Sequence, residues 1–213
     1  MLVLSTNIGN ATTIEWKGKK LLTGIYKKPV NSPIYLDNKD VINDHVIDRK
    51  YHGGNDKACY VFSENHYAYW KKLYPKLDWN WGMFGENLSI SNLDESQIFI
   101  GDIFKVGDAI VQISQPRQPC FKLGIRFGAQ KMVKQFVEYG YSGVYLRILT
   151  KGFVKTGDKL ELVGKIDESL SVKEVFRLIY EKVQDEKSNV IKALIIESLA
   201  QSCKNDLRQH WKI

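Results

Sequence analysis

Cys120 lies in the run Gln115-Pro116-Arg117-Gln118-Pro119-Cys120-Phe121-Lys122-Leu123, with a further cation at Arg126. The two prolines narrow the backbone on the N-terminal side of the sulfur, because proline holds φ and pushes its preceding residue to extended geometry. A free thiol ionises near pH 8.5, and neighbouring cations favour its thiolate. A fixed, electropositive sulfur suits a nucleophile, a persulfide carrier or a ligand to a thiophilic metal. The same residues also describe a small buried cysteine beside ordinary surface cations.

Three further polar groups could contribute chemistry. His52 sits before Gly53-Gly54 in the run from Asp48 to Lys57, where glycines let the backbone approach a ligand while an imidazole contacts it. A flexible loop carrying a surface histidine explains the same residues. Asn87, in Gly82-Met83-Phe84-Gly85-Glu86-Asn87-Leu88, offers donors and acceptors suited to the edge of a heterocycle, or simply makes a polar turn. Arg147 lies among Val144, Leu146 and Ile148, and strand alternation sends it to the opposite face, into solvent or into a barrel mouth. Glu64 and Glu86 could serve acid–base work, but no spacing pairs them. No Ser-His-Asp arrangement, P-loop or Gly-x-Gly-x-x-Gly is legible.

These groups must be held by a scaffold, and the 213 residues suffice for one large domain or a domain with an appendage. The start, Met1 to Asn7, resembles a first strand rather than a secretion signal, and no apolar run is long enough to span a membrane. Three widely spaced cysteines argue against a disulfide framework and fit a reducing, cytoplasmic setting. With no paired Cys-x-x-Cys or His-x-x-x-His, any bound metal would take few ligands from the protein. The net charge of +7 permits an anionic partner, but its cations are scattered, so nucleic acid is not indicated.

Turn signals cut residues 1–165 into short strands, predicting a mainly β, α+β domain rolled into a closed or nearly closed β-barrel. Expected strands are Leu2–Thr6, Thr12–Trp16, Leu21–Tyr26, Ala58–Phe62, Ile98–Ile100, Ile103–Val106, Ala109–Ser114, Val144–Leu149 and Leu160–Val163. Lys17-Gly18-Lys19 should turn a hairpin, and the three Gly-Asp pairs read as turn punctuation. Helices are expected over Glu64–Leu73, capped by Ser63, and over Ala129–Tyr139, stopped by Gly140. Residues 166–213 change character. Ser171 and Glu174 form a capping box ahead of Val175, Phe176, Ile179 and Val183 at helical spacing, and two more helices follow over Asn189–Ala200 and about Lys204–Trp211. A small three-helix domain is therefore expected.

In combination the motifs resemble the MOSC family, named for the C-terminal domain of molybdenum cofactor sulfurase. The segments that carry this are His52-Gly53-Gly54 with Asp56-Lys57-Ala58, Phe84-Gly85-Glu86-Asn87-Leu88, Ile100-Gly101-Asp102, Gln115-Pro116-Arg117 with Pro119-Cys120, and the stretch from Gly152 to Asp158. The helical tail is similar to that of the YiiM-like branch. The resemblance implies a MOSC-type barrel holding a molybdenum cofactor in its molybdopterin form, with Cys120 offered to the metal and acting in catalysis. It makes Arg117, Lys122, Arg126 and His52 candidates for the anionic and pterin edges, Asn87 one for orienting the ring, and Arg147 a further cofactor contact. The implied activity is reduction of N-hydroxylated compounds such as hydroxylaminopurines, with electrons returned by a flavoprotein. A sulfur-carrier or cofactor-binding module using a Cys120 persulfide stays open as the alternative. The tail is left to pack on the barrel, pair two chains as a homodimer, or receive the electron donor.

Overall fold

The computed structural model describes every residue of the chain except Lys50, Val183 and Gln184. Val183, expected on the apolar face of the first tail helix, lies outside the described residues. In chain order the first strands are β1 (Val3–Gly9), β2 (Thr12–Trp16), β3 (Lys19–Thr23), β4 (Lys27–Val30), β5 (Ile34–Leu36) and β6 (Cys59–Ser63). Helix α1 (Tyr67–Leu73) and strands β7 (Leu88–Ile90), β8 (Ile103–Val106) and β9 (Ala109–Pro116) follow. Next come α2 (Phe121–Arg126), α3 (Lys131–Tyr139), β10 (Val144–Thr150), β11 (Gly152–Val154) and β12 (Leu160–Gly164). The tail carries α4 (Val172–Tyr180), α5 (Lys187–Ile195) and α6 (Gln201–Trp211).

Eight strands form one sheet in the order β12-β8-β9-β10-β6-β7-β1-β4, antiparallel throughout except for the parallel β6–β7 pair. The sheet rolls until the start of β12 approaches the start of β1, next to the β4 edge, but no continuous ladder closes it. β12 and β1 touch only around the isolated bridge Leu2–Lys159, with Val3 N donating to Asp158 O at 2.9 Å. The expectation of barrel closure is corrected to that extent. The N-terminus of β1 reaches the start of β12, and β1 then diverges to pair with β4.

Lys17 and Gly18 both take positive φ, at 51° and 73°, which is the two-residue turn that matches strand twist. The hairpin is therefore β2–β3, and its second strand begins earlier than the expected Leu21. Ile98–Ile100 forms no strand, since Phe99 makes only an isolated bridge to Ser171. The Gly-Asp pairs are turns, with Gly101, Gly107 and Gly157 at positive φ. Strands β4, β5 and β11 and helix α2 have no counterpart among the expected elements.

The capping box is present in both directions: Ser171 Oγ accepts from Glu174 N, and the Glu174 side chain accepts from Ser171 N. Helix α4 buries Val172, Val175, Phe176, Leu178 and Ile179. The apolar faces of α4, α5 and α6 join the same core cluster as the sheet residues Val61, Val111, Ile113 and Leu146. A second, largely aromatic cluster gathers Trp70, Phe84, Phe127 and Phe136 between α1, α2 and α3.

Candidate functional site

β9 runs to Pro116, and the chain then turns through Arg117 and Pro119 to deliver Cys120 as the residue capping α2. Cys120 has extended backbone and is half-buried, whereas Cys59 and Cys203 are buried. Burial pushes both of those thiols far above their ordinary range, so neither is a nucleophile or ligand in the folded chain.

Cys120 forms part of the wall of a cleft open to solvent. Facing it are His52, Lys57, Arg117, Lys122 and Tyr145. Arg117 is almost fully buried, with its guanidinium 5.5 Å from the Tyr60 ring centre and 5.2 Å from that of Phe136. Its Nη1 is buried and has no hydrogen-bond partner among the described residues. Burial opposes its charge, but Tyr60, Cys120, Tyr145 and Tyr180 more than offset that and hold its pKa above the usual value. Burial pulls the pKa of Lys57 down, while Asp206 acts in the opposite sense. Lys122 stands 3.7 Å from Asp48.

His52 Nδ1 lies 3.4 Å from the Tyr145 hydroxyl. Burial first, then the charges of Arg117, Lys57 and Lys122, lower the His52 pKa to about 4. Its ring is therefore neutral at neutral pH, with one nitrogen donating and the other accepting. Gly53 beside it has φ of 73° and lines the same cleft, which accounts for a glycine at that corner.

Other expected residues are placed differently. Asn87 borders the cleft, but its side chain is spent inside the protein. Oδ1 accepts from Tyr60 N at 3.1 Å, and Nδ2 donates to Asn7 O at 3.3 Å and Asp44 Oδ2 at 3.0 Å. Arg126 packs 4.6 Å over the Tyr26 ring, outside the cleft lining. Arg147 is half-buried and lies outside the linings of the Cys120 clefts. It donates to Asp56 Oδ1 from Nε and Nη2 (2.9 and 2.6 Å), to Gln112 Oε1 at 2.6 Å and to Ser198 O at 3.2 Å. It thus ties β10 to the Asn55–Lys57 turn and to the tail. Asp56 lies 91 residues from it in the chain, so alternation along β10 could not reveal the partner. Glu86 is wholly buried and is used up by Gly82 N, Phe84 N, Ser89 Oγ and the Tyr67 hydroxyl, which orders its loop.

Tyr145, Lys57 and Asp48 are site residues that motif reading missed. Tyr145 had a signal: it shares a strand face with Arg147, two residues away, opposite the apolar Val144, Leu146 and Ile148. Asp48 and Lys57 flank His52 in the run already singled out.

Among the described residues no group of three His, Cys, Asp or Glu side chains could hold a metal. The cleft therefore lacks a full protein ligand set, and a metal bound at Cys120 would take most of its ligands from a cofactor. The orphaned Arg117 Nη1 and the Lys57 and Lys122 ammonium groups fit the anionic parts of such a cofactor.

The architecture is thus a rolled, mainly β sheet with a helical tail and one partly exposed cysteine in a cationic cleft. The chain belongs to the MOSC domain family, whose profile matches residues 48–161. Its similarity extends to the YiiM-like branch. It is 41% identical over 178 residues to the uncharacterized protein YflK of Bacillus subtilis, spanning 84% of this chain and 80% of that one. It is 33% identical over 148 residues to protein YiiM of Escherichia coli, spanning 68% and 66% respectively. A Gibberella moniliformis protein named a reductase is 32% identical over 165 residues, spanning 76% of this chain but only 29% of that longer one. The crystal structure of YiiM from Geobacillus stearothermophilus superposes with a TM-score of 0.81 at 28% identity, covering 98% of this chain and 97% of that one. No helix among the described residues is long and apolar enough to cross a membrane.

Proposed function

We propose that this chain is a molybdenum-cofactor-dependent reductase of N-hydroxylated compounds, hydroxylaminopurine base analogues among them. The observation that carries the proposal is a single half-buried thiol, in a cleft whose described residues offer no three-ligand metal cage, beside the cations Arg117, Lys57 and Lys122. The relative named a reductase and the YiiM neighbours support the same reading.

Cys120 would be the protein's ligand to molybdenum, and the bound cofactor supplies a two-electron centre able to take oxygen from an N–OH group. The chain's own residues do the rest. Arg117, whose Nη1 is buried and unpartnered, holds an anionic oxygen, and Lys57 and Lys122 add charge to the same end. Reduction of N–OH to N–H releases water and consumes two protons. Neutral His52, within reach of the Tyr145 hydroxyl, would offer one hydrogen-bond donor and one acceptor in the cleft that Cys120 lines. Asn87 acts on the framework rather than on the ring, by joining Tyr60, Asn7 and Asp44. Electrons come from a separate flavoprotein in the cytoplasm, whose acidic surface the net charge of +7 would steer.

The test is metal analysis of protein made in a host that synthesises the cofactor, with reductant-driven turnover of hydroxylaminopurine. Stoichiometric molybdenum, lost in Cys120→Ser together with turnover, is the expected result. Wild-type protein that never carries molybdenum refutes the proposal.

A further inference from the structure

Behind the cationic cleft lies a buried carboxylate that stands outside the cleft lining. Glu95 follows β7 and is wholly inaccessible. Its Oε1 accepts from Gly143 N at 2.9 Å, and its Oε2 lies 3.1 Å from Nε2 of the equally buried His66. His66 Nδ1 stands 3.0 Å from the Tyr139 hydroxyl at the end of α3. Lys173 N, on α4, donates to the Glu95 main-chain oxygen at 2.9 Å, so the tail anchors the residue too. A carboxylate taken out of water is costly unless its oxygens are bonded, and here both are. Such burial is a poor source of net stability, which turns attention to what the carboxylate holds in place.

We infer that Glu95 is the positioning residue of the anion seat at Arg117, acting through Gly143 on one side and through His66 and α3 on the other. The inference rests on the reading that Arg117 holds an anionic group, and it does not depend on the reaction carried out in the cleft.

Three contacts of Arg117 lead back to Glu95. The β9–β10 ladder ends at the pair Pro116–Val144, and Arg117 is the next residue beyond it. There the Arg117 N–H reaches Gly143 O at 3.3 Å, on a glycine with φ of 68° whose own N–H the Glu95 carboxylate holds. The guanidinium lies over two rings, Tyr60 and Phe136. The Tyr60 hydroxyl donates at 2.8 Å to the main-chain oxygen of Ser142, the neighbour of Gly143 in the same turn. Phe136 belongs to α3, as does Tyr139, and Tyr139 is the residue that His66 ties to Glu95. The backbone of Arg117 and the supports of both its aromatic faces thus converge on one carboxylate. Outer partners of this kind orient the group that meets the ligand, and their removal is felt as lost affinity.

The experiment is calorimetric titration of inorganic phosphate into full-length protein free of cofactor. Binding to the wild type, and its loss in Arg117→Met, identify the anion seat. Glu95→Ala removes the bond to Gly143 and should weaken phosphate about tenfold in protein whose unfolding midpoint shows it to be folded. Glu95→Gln keeps one acceptor for Gly143 N and can donate to His66 Nε2, so its affinity should stay within about twofold of wild type. Tyr139→Phe keeps the ring and removes only the hydroxyl, and should weaken phosphate about threefold. It supplies the reading if Glu95→Ala does not fold. A merely structural Glu95 would lower the unfolding midpoint of Glu95→Ala and leave the affinity of the folded protein unchanged. Wild-type affinity in both Glu95→Ala and Tyr139→Phe, with Arg117→Met still defective, overturns the inference and leaves the anion seat standing. Wild-type protein that binds no phosphate, or binding unmoved by Arg117→Met, refutes the anion seat and the inference with it.

Discussion

Replacing Asn87 with alanine separates a scaffold residue from a cofactor contact. The wild-type carboxamide satisfies two buried backbone groups, Tyr60 N–H and Asn7 C=O, and donates a third bond to the Asp44 carboxylate. In Asn87→Ala the Tyr60 N–H loses its partner inside a core where Tyr60 and Asn7 are nearly inaccessible. A buried polar group left unsatisfied costs about 1–3 kcal/mol. Asp44 keeps Lys27 and the Gly9 N–H at 2.8 Å, so its loss is smaller. Taking the Tyr60 and Asn7 groups together, the variant should lose about 2–5 kcal/mol, a large part of the stability of an ordinary domain. For a chain of this size that corresponds to roughly a 5–15 °C fall in melting temperature. Urea unfolding followed by tryptophan fluorescence should show a lower midpoint with unchanged slope. Asn87→Asp is expected to be at least as damaging, because it retains the acceptor for Tyr60 but sets a carboxylate against Asn7 O and the Asp44 carboxylate. A loss below about 1 kcal/mol in Asn87→Ala, with cofactor content falling instead, would refute this reasoning and return Asn87 to direct ligand contact.

Three further outcomes are expected. His52 has a folded pKa of about 4 against an ordinary 6.5, so the unfolded chain binds its proton first as pH falls. Its contribution to stability is therefore complete above about pH 6.5 and is lost between there and about pH 4, on the order of 2 kcal/mol after discounting for partial exposure. His52→Asn should flatten the stability–pH curve in that window, and an unchanged slope would refute the assignment. Gly143→Ala should cost more than about 3 kcal/mol by urea unfolding, since φ is 68° and a Cβ would sit 2.3 Å from Val61 O. Because Gly143 O accepts from Arg117 N, the same change should also disturb the cationic cleft. Finally, brief iodoacetamide treatment of native protein should label Cys120 alone, as Cys59 and Cys203 are buried with raised pKa values. Peptide mass mapping that finds label on either buried cysteine would contradict the packing.

Much of the site was legible before any coordinates, because its parts are local in sequence. Pro116, Pro119 and Cys120 set their own loop geometry, and the Ser171–Glu174 box declares a helix start within four residues. The hairpin at Lys17-Gly18 is equally local. What sequence could not supply is partnership across the chain. Arg147 reads as a free cation until Asp56 and Ser198 arrive beside it, and Asn87 reads as an available amide until Asn7 and Asp44 consume it. Helix α2 is not legible because its six residues are too few to show a period and contain Gly124, a poor helix former.

Residue type and local spacing alone placed one cysteine in a proline-bounded loop with cations near it in the chain, on a mainly β body with a capped helical tail. Tertiary structure alone decided that Tyr145 and Lys57 face that cysteine, that Arg126 and Arg147 do not, and that α6 lines its far side. The physical reason is that turns, caps and proline geometry are paid within a few residues. Burial, charge pairing and cleft walls arise only when segments distant in the chain remove one another from water.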